Sequence, residues 1–79
     1  MAQPNKPSLL PEALGRALNS DVLVSVKGGQ RFQGKMRGYD IHMNMVLDEG
    51  VSLDGGKVSK RYGTMLIRGD GVVFVAPLE

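Results

Sequence analysis

The sequence predicts a small, mainly β domain: an N-terminal α-helix followed by a five-stranded, strongly bent antiparallel barrel. Three observations predict it. Apolar residues recur every four positions up to Leu18 and every second position from Val22 onward. A polar turn at Asp40-Ile41-His42 and glycine-bearing turns near residues 27–30, 50–56 and 69–71 cut the rest into five short runs. Gly34 and Gly38 lie on the inner face of the second run, where missing side chains let a strand bend sharply.

Leu10, Leu14 and Leu18, with Ala13 and Ala17 beside them, place one apolar stripe on a short helix over residues 10–19. Pro11 suits the first helical turn, where its missing N–H would lack a partner anyway. Glu12 complements the helix dipole and stands four residues before Arg16 on the wet face. Gly15 weakens the segment and Asn19-Ser20 ends it. Residues 1–8, with Pro4, Asn5, Lys6 and Pro7, read as a flexible leader rather than a signal peptide. One domain over 9–79 remains, its barrel spanning 21–77.

In the first strand Val22, Val24 and Val26 share a face, and Lys27-Gly28-Gly29-Gln30 supplies a hairpin turn. The second sets Phe32, Gly34, Met36 and Gly38 against Arg31, Gln33, Lys35, Arg37 and Tyr39. The third, 43–49, alternates Met43, Met45 and Leu47 with Asn44, Val46 and Asp48, and 50–56 reads as an acidic loop closed by Gly55-Gly56. A long fourth strand over 57–67 and an apolar fifth over 72–76 complete the set. Met36, Met43, Met45 and Met65 fall on inward positions and read as core filler.

A chain of 79 residues is one domain near the size at which burial alone gives slender stability, so self-association is expected to add to it. Met65-Leu66-Ile67 and Val72-Val73-Phe74-Val75 are apolar on both faces, whereas a surface hairpin should be wet on one. Either both strands are central in a monomer's own core, or strand four of one copy pairs with strand five of the next around a closed ring.

Without cysteine, disulfides and thiolate metal sites are excluded, and no stretch reaches the roughly 18 apolar residues of a membrane-spanning helix. A soluble protein of a reducing, cytoplasmic compartment is expected. The net charge of +2 and sequence pI near 9.2 are mildly basic and gain weight only when multiplied by assembly. One histidine, no zinc spacing and no phosphate-cradling loop leave hydrolytic or metal chemistry without its parts, so neither an enzyme nor a cofactor is expected.

Two stretches carry a family resemblance. Asp40-Ile41-His42-Met43-Asn44-Met45-Val46-Leu47, preceded by Gly34, resembles the first Sm motif, and Leu66-Ile67-Arg68-Gly69-Asp70 resembles the second. The chain is similar to Sm-like (LSm) proteins of the archaeal type, and the bacterial Hfq relatives carry a different second motif. The resemblance implies the Sm fold, an SH3-like barrel, assembled by strand-four to strand-five pairing into a ring, usually of seven, around whose pore uridine-rich single-stranded RNA binds. It implies RNA-binding roles for His42, Asn44, Arg68 and Asp70: imidazole and guanidinium sandwich a base, the amide reads its edge, and the aspartate steadies the amide.

The chemistry of those residues is compatible with such roles. An unpaired base offers a π face to His42 or Arg68, worth about 1–3 kcal/mol per base, and an edge to Asn44, whose amide both donates and accepts. Lys27, Lys35 and Arg37 are candidates for the phosphates. Asp40 reads as holding the turn backbone, and Tyr39 and Tyr62 as core or interface residues. The competing reading is a protein-interaction scaffold, a ring of the same fold without base-specific RNA binding.

Overall fold

A computed structural model describes residues 15–78. Five strands form one antiparallel sheet: β1 (Asp21–Val26), β2 (Arg31–Tyr39), β3 (Met45–Asp54), β4 (Lys57–Ile67) and β5 (Val72–Pro77). Their spatial order is β4-β3-β2-β1-β5.

The period-two pattern of β1 does what alternation demands. Val22 and Val24 point inward and are fully buried, together with Met36, Met45 and Leu47 from the next two strands. Burying each such side chain contributes about 1.5–3 kcal/mol, and together they form the contiguous core. Met43 and Met65 are half-buried against that cluster, as core filler should be. Gly34 is buried on β2, and a Cβ there would come within 2.9 Å of the Asp48 carbonyl oxygen and 3.1 Å of the Leu47 Cβ. β2 and β3 approach too closely there for any side chain, and the ladder shifts register across Gly34, between Gln33 and Lys35, and again between Met36 and Gly38.

Three expectations are corrected. The helix expected over 10–19 does not form an element among the described residues: only Gly15 and Arg16 have helical backbone, followed by turn. Its first part, like the leader, lies outside the described residues. Leu18 N–H reaches back only to the Gly15 carbonyl, and Asn19 takes a left-handed φ of 66°. The Asn19 N–H then donates to the Met36 carbonyl, and Met36 N–H donates to that of Ser20, so β2 captures the backbone before a helix can continue. Consequently Ala17 is buried while Leu18 is 39% exposed, against the expected leucine stripe.

The sheet is also not a closed barrel. β4 pairs only with β3 and β5 only with β1, leaving two open edges. The reason lies at Gly69–Gly71, a single 3-10 turn flanked by extended Arg68 and Val72. It carries the chain across the end of the sheet to β1 instead of folding β5 back along β4.

Finally, β3 runs on to Asp54, through most of the segment expected to be a loop. Glu49 adopts φ 55° at a bulge, and pairing resumes with Gly50 opposite Gly63 and Ser52 opposite Lys60. The bulge shifts the phase of alternation, so Gly50, Val51 and Ser52 are all buried.

Candidate nucleic-acid interface

The four residues singled out in the sequence lie on two loops, 40–44 between β2 and β3 and 68–71 between β4 and β5. The first is a wound turn rather than extended chain. Met43 takes φ 68°, its N–H donates to the Asp40 carbonyl, and the Asp40 N–H donates to that of Asn44. Asp40 organises this turn: its Oδ1 accepts the backbone N–H groups of His42 at 2.9 Å and Asn44 at 3.0 Å, and its Oδ2 accepts the Asn44 side-chain amide at 3.0 Å. That amide hydrogen bond, reinforced by the two backbone donors and the charge of His42, holds the Asp40 carboxyl below its ordinary value of 3.8.

The second loop is tied to the first. Asn44 Oδ1 accepts the Gly69 backbone N–H at 2.6 Å. Gly69 also has no room for a side chain, since a Cβ would collide with the His42 carbonyl. Within the second loop the Arg68 guanidinium donates to Asp70 Oδ2 at 3.3 Å, both side chains being exposed. An exposed pair of this kind contributes little to stability, at most about 1 kcal/mol. It orients the guanidinium without burying it.

These contacts set the direction of the Asn44 amide. A carboxylate can only accept and a backbone N–H can only donate, so Nδ2 faces Asp40 and Oδ1 faces Gly69. One N–H and one lone pair of the amide remain for a ligand. Beside them an open cleft of about 410 Å³ is lined by Tyr39, Asp40, Asn44, Val46, Leu66 and Arg68 among others. Its wall joins Asn44 and Arg68; His42 and Asp70 lie on the same two loops but not on this wall.

Two participants were missed in the sequence. Asp40 caps the turn backbone as expected, but it also holds the Asn44 amide, the task expected of the second motif's Asp70, which instead pairs with Arg68. The Gly69 N–H is the other. Spacing gave a faint signal for Asp40, an acid four residues before an amide across a turn, and none for Gly69.

Of the three cations considered for phosphates, Arg37 is engaged, donating to Asp48 Oδ2 at 2.9 Å and to Asn19 Oδ1 at 3.0 Å. Lys27 N–H donates to the Gly71 carbonyl, which brings the β1–β2 turn against the second loop, and Lys35 lies half-buried on β2. Among the described residues no cluster of metal-ligating side chains occurs, and no helix is long and apolar enough to cross a membrane.

A single antiparallel sheet with two unpaired edge strands, whose end loops lock together around one oriented amide, defines a small, mainly β domain. Residues 12–77 match the LSM domain, and the chain belongs to that family. It is 47% identical over 66 residues to a putative snRNP Sm-like protein of Methanococcoides burtonii, covering 84% of this chain and 92% of the relative. Among solved structures it is similar to the Pyrococcus abyssi Sm protein in complex with a uridine heptamer, with a TM-score of 0.83, 40% identity, and coverage of 98% and 100% of the two chains. It is likewise similar to the P. aerophilum SmAP1 heptamer, with a TM-score of 0.83, 30% identity, and coverage of 89% and 93%.

Proposed function

We propose that this protein is an RNA-binding, ring-forming Sm-like protein, not an enzyme, that holds uridine-rich single-stranded RNA around a central pore and acts in RNA processing or ribonucleoprotein assembly. One observation carries the reading: the Asn44 amide, oriented by Asp40 and Gly69, keeps one donor and one acceptor free at an exposed rim. Uracil presents the matching adjacent pair, its N3–H and a carbonyl oxygen. His42 and Arg68 supply the flat groups that stack on the base, and Asp70 orients Arg68.

The ring follows from the open edges. β4 exposes Leu66 at 79% and Tyr62 at 47%, while β5 exposes Val73 at 62% and Phe74 at 41%. Pairing β4 of one copy with β5 of the next covers these residues and removes both edges. Similarity to a P. aerophilum heptamer and to a P. abyssi Sm protein bound to a uridine heptamer supports seven copies and a uridine ligand. Multivalent contact with one strand raises the affinity of a single weak pocket by roughly 100-fold or more. A chain without cysteine fits a reducing compartment, and we assign it to the cytoplasm.

Native mass spectrometry with and without a uridine heptamer and an adenosine heptamer tests this. The expected result is a seven-subunit mass that gains one oligouridine and ignores oligoadenosine. A monomer indifferent to both would refute it, and a ring that takes neither would favour a protein-interaction scaffold.

A further inference from the structure

The β3–β4 hairpin carries a feature that the base-reading loops do not use. Lys57, Lys60 and Arg61 occupy the first half of β4, every residue of 57–61 is exposed, and none of the three cations makes an ion pair or side-chain hydrogen bond among the described residues. The nearest carboxylate in the ladder is Asp54, opposite Lys57, and no ion pair joins them. Arg31 lies close by, since it pairs with Leu53, which in turn pairs with Val58. A cleft of about 440 Å³ opens between the two turns, lined by Arg31, Leu53, Asp54 and the glycines Gly29, Gly55 and Gly56. The hairpin tip lies at the far end of β3 from Asn44, ten strand residues away, or roughly 30 Å of extended chain.

We infer that this hairpin end is a second RNA-binding surface, one that takes the phosphate backbone of single-stranded RNA flanking the uridine stretch. The inference rests on the ring reading above, because strand lengths decide what assembly leaves uncovered. β5 has six residues and β4 has eleven, so a neighbour's β5 covers about half of β4. Of the exposed apolar residues on β4, Tyr62 and the most exposed, Leu66, lie in the half nearest the β5 turn and Val58 in the other; covering the Tyr62–Leu66 half leaves Lys57, Lys60 and Arg61 beyond it. Repetition around a ring makes a crown of unpaired cations, whose field attracts a polyanion irrespective of base sequence. RNA is the polyanion already held at the pore, so its flanks reach this crown at high effective concentration.

The test compares a uridine heptamer with the same heptamer carrying ten adenosines at each end, titrated over a range of salt. The proteins are the wild type and the Lys57→Gln/Lys60→Gln/Arg61→Gln variant. For the wild type, the extended RNA is expected to show a log K against log salt slope steeper by about 2, three phosphate contacts at roughly 0.7 each. The variant is expected to lose that excess and at least tenfold in affinity for the extended RNA, while binding the plain heptamer within twofold of wild type, which also shows that it folds. Equal slopes for the two RNAs, or an unchanged slope in the variant, would overturn the inference. Polyglutamate captured by the wild type but not the variant, with equal RNA slopes, would likewise overturn it and assign the surface to an acidic protein. Failure of the wild type to bind the plain heptamer would instead count against the pore reading, and the two results are separable.

Discussion

The side-chain oxygen of Asn44 accepts the backbone N–H of Gly69 at 2.6 Å across 25 residues of sequence. This bond joins the two loops of the rim and fixes which atoms of the amide face outward. Base reading by the amide depends on it.

Gly69 is therefore the position least able to change. Gly69→Ala drives a methyl into the His42 carbonyl and separates the loops. The expected outcome is a loss of about 1–3 kcal/mol in stability by denaturant titration, with oligouridine affinity reduced at least tenfold. Wild-type affinity would show that the loops need not touch.

Asp40 acts through Asn44. Asp40→Ala removes three hydrogen bonds from an exposed turn and leaves the amide free to rotate. Base discrimination is expected to suffer more than folding: the oligouridine preference over oligocytidine should shrink about tenfold, since the penalty for an unmet hydrogen bond, about 1–3 kcal/mol, no longer applies to the wrong base. A preserved preference would remove Asp40 from the recognition mechanism.

Acid should loosen both the rim and the sheet. Asp40 is held below 3.8 first by the Asn44 amide, and Asp48 first by Arg37 and then by Thr64. A carboxyl whose folded-state value is depressed stabilises fully above its unfolded value and loses that contribution as pH falls through the folded one. The thermal midpoint is thus expected to owe nothing to these groups' titration between pH 7 and 5 and to fall below about pH 3.8. Asp40→Asn and Asp48→Asn should each flatten that acid limb, and an unchanged limb in both would contradict the assignment.

What could be read from sequence was whatever obeys a simple period. Val22 and Val24 alternate into the core, and Gly34 lies on the inner face of β2 as expected. Two non-glycine residues in left-handed backbone broke the extrapolation. Asn19 at φ 66° ends the turn at Gly15-Arg16, and Glu49 at φ 55° lets β3 continue through an acidic stretch that composition marks as loop. Closure failed as an expectation because two compatible edges in one chain do not say whether they meet each other or a neighbour. At the site, the two motifs singled out Asn44 and Arg68, which the structure sets along one cleft, but the Asp40–Asn44–Gly69 chain of bonds depends on a backbone N–H, and every residue type carries one.

The most direct measurement is the affinity of a uridine heptamer against the same heptamer built from N3-methyluridine. Methylation removes the one base donor that the free Asn44 lone pair accepts and leaves stacking and charge in place. The expected result is a loss of at least tenfold, with the difference abolished by Asn44→Ala. Equal binding of the two oligonucleotides by the wild type would contradict base reading by this amide.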